Sequence, residues 1–178
     1  MRRTRISVRL LLAGFAAAIA GPAIAQSCVQ GADRTAFEVR ALQSQLMVAA
    51  LTCARDEDYN AFVRKFQGEL GGAYRSIQGH FRRTAGGGHQ RALDGYITTL
   101  ANEQSQDGIR QGSRFCQNVG PLFQAALAQS STSSLAEMSM ERNVLNPFEA
   151  PVCAERAATT TSARRPAAAR ARTAASRR

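Results

Sequence analysis

The chain has 178 residues, with 23 basic and 13 acidic side chains and a formal net charge of +10. Its length admits one domain with tails and excludes a large multidomain enzyme, while 44% hydrophobic content excludes a wholly unfolded chain. The charge invites a nucleic-acid-binding reading, but it is segregated: residues 1–25 carry +4, residues 154–178 carry +6, and residues 26–153 balance at 12 basic against 12 acidic. No nucleic-acid partner is expected.

Residues 1–25 read as a secretory signal peptide. Met1 to Arg9 is basic, Leu10 to Ala20 is apolar, Gly21-Pro22 breaks the helix and Ala23-Ile24-Ala25 is a small-x-small cleavage site. The apolar run is shorter than the ~20 residues that span a bilayer. Cleavage after Ala25 therefore predicts a periplasmic or secreted protein with no remaining transmembrane segment.

Four helices and a short fifth are predicted in the mature domain, residues 26–153. The first runs from Asp33, as N-cap, to Ala54. Its block Leu46-Met47-Val48-Ala49-Ala50-Leu51 is apolar on all sides, the mark of a central helix. The second covers Glu57 to Arg83, where Phe62, Phe66, Leu70, Tyr74, Ile77 and Phe81 keep the helical period. Gly68, Gly71, Gly72 and Gly79 interrupt it and predict either a kink or close approach of a neighbour.

The third helix covers Gln90 to Glu103, with Leu93, Tyr96, Ile97 and Leu100 inward. The fourth covers Asp107 to Gln129, with Ile109, Cys116, Val119, Phe123 and Leu127 inward and a kink at Gly120-Pro121. Ser130 to Ser134 reads as a loop, Leu135 to Arg142 as the short helix, and Pro147 and Pro151 make the run to Cys153 extended. The fold class is all-α, an up-and-down bundle. Residues 154–178 hold ten Ala and seven Arg and no large apolar residue, so they read as a disordered basic tail.

Cys28, Cys53, Cys116 and Cys153 are an even number in an exported chain, which predicts two disulfides. Zinc binding needs closely paired ligands, and none of the four is near another in sequence. Pairing Cys28 with Cys53 is disfavoured, because a 20-residue helix of roughly 30 Å separates them. A bridge needs Cα atoms within about 7 Å. Of the two remaining arrangements, Cys53–Cys116 with Cys28–Cys153 is preferred, since it straps two helices and ties the ends of the domain.

Chemistry is sparse. His80 and His89 are the only histidines and flank the Gly86-Gly87-Gly88 turn. With Asp94 they would suit metal ligation or acid–base work. Two solvated residues at a turn is the favoured alternative, because such a site needs further partners. The glycine run lacks the Gly-Lys-Ser/Thr ending and preceding strand of a phosphate loop. No catalytic residue, metal or cofactor is predicted. Arg164, Arg165, Arg170, Arg172, Arg177 and Arg178 would attract an anionic envelope polymer or lipid surface in a salt-dependent way. An inert solubilising tail is the equal alternative.

The block Leu46 to Cys53, followed by Tyr59-Asn60-Ala61-Phe62 and, more loosely, Tyr96 and Cys116, resembles a group of small exported proteobacterial four-cysteine helical proteins of unknown function. Some of that group carry an adenosylhomocysteine hydrolase label. This chain lacks the G-x-G-x-x-G turn and the length for a dinucleotide domain plus a substrate domain, so the resemblance implies no catalytic residue.

The sequence thus leads to an exported non-enzymatic helical protein that binds an envelope component or a protein partner. A small envelope hydrolase or metal-dependent enzyme using His80 or His89 is one alternative, and a stress-protective periplasmic chaperone is another.

Overall fold

A computed structural model describes residues 28–148, Ala150, Pro151 and Cys153. Residues 1–27 and 154–178 lie outside them, and with them the expected signal peptide and basic tail. The described residues form six α-helices: α1 (Gly31–Cys53), α2 (Asp56–Lys65), α3 (Gln67–Ala85), α4 (His89–Gln111), α5 (Phe115–Leu127) and α6 (Thr132–Glu141). Short 3-10 turns at Gly86–Gly88 and Gly112–Arg114 lead into α4 and α5. Among the described residues there is no strand beyond a single bridge at Val29.

Helix α1 packs against each of the other five α-helices. Phe37, Val39, Ala41, Leu42, Leu46 and Ala49 are fully buried, as the long apolar run predicts. Leu51 departs from that expectation and is 75% exposed. It sits in the last turn, before Ala54 takes a left-handed φ of 52° and ends the helix. Asp33 is not the N-cap. Gln30 occupies that position without a side-chain bond, and Asp33 lies buried inside the first turn.

The second predicted helix is two. Phe66 leaves helical geometry (φ −110°, ψ 24°) and separates α2 from α3. Gly68 lies two residues on, and a Cβ there would meet nothing within 4 Å. The interruption falls before the glycines, and α3 runs through Gly68, Gly71, Gly72 and Gly79 with only its own Arg75 and Arg83 side chains near them, so neither role predicted for them is observed. Phe62 and Phe66 remain in contact across it, ring centroids 5.3 Å apart. Tyr74, expected inward, is 38% exposed with the Arg40 guanidinium over its ring.

The largest displacement concerns α4. Its inward stripe is Leu93, Tyr96, Leu100, Gln104 and Gly108, a continuous face that carries the helix to Gln111. The predicted stop near Glu103 is corrected, because two non-apolar residues continue the stripe. Gln104 is fully buried and its Nε2 donates to Ala41 O (3.0 Å) and Leu145 O (2.8 Å). Gly108 leaves space that the Phe115 ring occupies, 3.4 Å from where a Cβ would stand. Ile109, one residue on and hence turned about 100° away, is 71% exposed rather than inward. The chain reverses at Gly112, whose φ of 56° favours glycine. Pro121 lies inside α5 without ending it.

Helix α6 begins three residues earlier than predicted. Ser131 caps it: the Ser134 N–H donates to Ser131 Oγ and the Ser131 N–H donates to Ser134 Oγ.

The disulfides join Cys28 to Cys153 and Cys53 to Cys116, with Cα separations of 4.8 and 5.6 Å. The first is flanked by a backbone clasp. The Val29 N–H donates to Pro151 O (2.8 Å), and the Cys153 N–H donates to Val29 O (2.9 Å).

Candidate functional site

Two polar assemblies depend on α1. The first is closed. Asp33 extends from the first turn of α1 toward α3, where His80 Nδ1 lies 3.2 Å from its Oδ2 and Arg83 Nη2 donates to the same oxygen. His80 and Asp33 are buried, and Arg83 reaches in from solvent. Three rings meet His80 edge-on: Phe37 at 5.2 Å, Phe148 at 5.3 Å and Phe81 at 5.4 Å. Phe37 and Phe148 stack 3.5 Å apart. Tyr96 joins them, edge-on to Phe37 at 5.0 Å. Its hydroxyl is buried and has no hydrogen-bond partner among the described residues. Burial pushes the phenol pKa up, against the pull of Arg40 and with a smaller push from Glu38.

Glu38 borders this assembly. Burial raises its pKa from the usual carboxylate value, although an Asn146 hydrogen bond and Arg34, 3.8 Å away, pull it down.

The less favoured grouping of His80, His89 and Asp94 is not formed, and the favoured reading of two solvated histidines fails for His80, which is buried. His89 Nδ1 lies 2.9 Å from Gly86 O, within its own turn, and Asp94 accepts from Gln90 Nε2. His80 turns instead to Asp33, an acid that the N-cap reading had already assigned. No group of three His, Cys, Asp or Glu side chains able to hold a metal occurs among the described residues. All four cysteines are in disulfides. The six tail arginines, Arg164 to Arg178, lie outside the described residues.

The second assembly is open. A cleft of about 410 Å³ lies between α1, α4, α5 and the chain after α6. That volume is within the range of small-molecule sites. Its polar wall is a relay: Gln111 Nε2 donates to Asp107 Oδ2 (2.6 Å) and Asn118 Nδ2 donates to Gln111 Oε1 (2.9 Å). Gln45 projects into it from α1, and Arg142 and Asn143 border it from beyond α6. Phe115, Val119 and Leu122 form an apolar side. Gln104 holds the Leu145 edge of the cleft to α1 through its two bonds, so the wall is anchored in the core.

None of these cleft residues stood out in the sequence. One signal was present. Asp107 and Gln111 are four apart, the spacing at which such pairs hydrogen-bond along a helix. Comparison with family models, with curated proteins and with solved structures yields no match to this chain.

Proposed function

We propose that the chain is an exported periplasmic protein, cleaved after Ala25, whose up-and-down helical bundle binds an envelope component or a protein partner without catalysing a reaction. The observation that carries this reading is the open cleft, an amide-rich wall beside an apolar one on a rigid support. Two disulfides support an oxidising compartment. No described helix is long and apolar enough to cross a membrane. The arginine-rich tail would hold the protein near anionic envelope surfaces.

Intact mass and fractionation test the reading. The expected product starts at Gln26, carries two disulfides and is recovered from the periplasm. A reduced, uncleaved chain in the cytoplasm would refute it. Deletion of residues 154–178 should abolish low-salt binding to anionic phospholipid vesicles; unchanged binding would refute the role of the tail.

One observation favours a second reading, an envelope hydrolase. Asp33 beside His80 Nδ1 is the arrangement that orients an imidazole for work at Nε2. Three phenyl edges pack around that ring, which suits a structural pair better. Retained esterase or amidase activity in His80→Ala would end the hydrolase reading; activity lost in a folded His80→Ala variant would establish it.

A further inference from the structure

We propose that the cleft binds an acidic sugar, with its carboxylate on Arg142 and its hydroxyls on Asn118 and Gln45. This rests on the binding-protein reading and gives the cleft a ligand class. Asp107 heads the polar wall. An ionised carboxylate only accepts hydrogen bonds, so Gln111 must present Nε2 to it, as observed at 2.6 Å. That turns Gln111 Oε1 toward Asn118, whose Nδ2 donates to it. Asn118 Oδ1 is therefore left as an acceptor at the end of the relay. Arg110 Nη2 holds the other Asp107 oxygen at 3.0 Å, so this carboxylate is already balanced.

Two further groups await partners. Gln45 is 7% exposed, borders the cleft, and makes no side-chain hydrogen bond among the described residues. Its amide is not fully enclosed and opens on the cleft, where a ligand can reach it. Arg142 also borders the cleft and makes no ion pair among the described residues. Its planar fork of donors fits a carboxylate bidentately.

The ligand must supply a donor to Asn118, donor and acceptor to Gln45, and an anion to Arg142. A hydroxyl is both donor and acceptor, so a ring bearing several hydroxyls and one carboxylate meets all three demands. Its C–H face suits Val119 and Leu122 on the apolar wall. A peptide is matched less well. Peptides commonly pair with a free sheet edge or lay an apolar helix face into a groove, whereas the polar groups here are side chains, most of them on helices.

The test is a titration of the oxidised full-length protein with glucuronate, glucose, N-acetylalanine and acetate. Side-chain amide resonances of Gln45, Gln111 and Asn118 are followed by NMR. Glucuronate is expected to shift all three saturably, with glucose about tenfold weaker. Arg142→Gln should reduce glucuronate to the level of glucose. Gln45→Leu, similar in volume but without an amide, should lose glucuronate binding. Asn118→Ala, at an exposed position, gives the same reading if Gln45→Leu does not fold.

Silence toward glucuronate at millimolar concentration overturns the proposal. So does acetate reproducing its shifts, N-acetylalanine binding as tightly, or undiminished binding in the folded variants. Export and envelope association are read separately by mass and fractionation, so the sugar assignment and the binding-protein reading fail independently.

Discussion

Helix α1 passes through two unlike surroundings. Its N-terminal half places Asp33 and Phe37 in a closed cluster of rings and charges. Its C-terminal half places Gln45 at an open cleft whose polar groups are only partly matched. Each half is stapled by its own disulfide. The difference separates two uses of polar side chains, one enclosed and one largely open to solvent. In the closed region, charges are paired and enclosed by aromatic area, which stabilises and specifies the fold. In the open region, amides are oriented but left short of partners, which suits recognition.

The comparison is tested most severely through the staples. Removing Cys28–Cys153 by double serine substitution should destabilise by about 5 kcal/mol, and removing Cys53–Cys116 by about 4 kcal/mol, on the chain-entropy estimate for separations of 125 and 63 residues. Denaturant midpoints check both values and their order. Phe37→Ala follows at about 4 kcal/mol, since it opens a cavity beside Phe148 and His80.

Asp33→Asn should cost about 2 kcal/mol, because it removes the charge that serves a buried His80 and Arg83. The same measurement on Gln111→Ala in the cleft is expected to show less than about 0.5 kcal/mol. Equal losses at Asp33 and Gln111 would erase the distinction between the regions.

Glu38 gives a change of opposite sign. Its folded pKa is raised by burial, so the folded state holds its proton more tightly than the unfolded chain does. This contribution to stability is present below the unfolded value and declines as pH rises through the window above it. Glu38→Gln should therefore raise the melting temperature at pH 7, leave it nearly unchanged at pH 4, and flatten the slope between them.

The fold was legible where burial is apolar. The all-round run of Leu46 to Leu51 marked α1 as central, although Leu51 itself is exposed, and the length of α1 kept Cys28 from Cys53. Reading failed where polar or absent side chains do the work of apolar ones. Gln104 extends α4 because two carbonyls receive its amide, and Gly108 because Phe115 fills its empty space. The first relation spans 63 and 41 residues, and the second depends on the turn at Gly112 folding Phe115 back. The site was less legible still. Asp33 looked like a cap because acidic residues favour helix starts; its partners, 47 and 50 residues away, are set by the packing of α1 on α3. The cleft amides look like any solvated helix surface until the turn at Gly112 brings Asn118 back to Gln111.

The two disulfides also have a topological consequence. Cys28 and Cys53 precede the exposed Gly86–Gly88 turn, while their partners Cys116 and Cys153 follow it. A protease that nicks this turn, the kind of site where cutting concentrates, would sever the chain without releasing either piece. The cut protein should run as one species on a non-reducing gel and as two after reduction. The domain is thus wired as a double-bolted pair of halves, able to outlast a break in its own backbone.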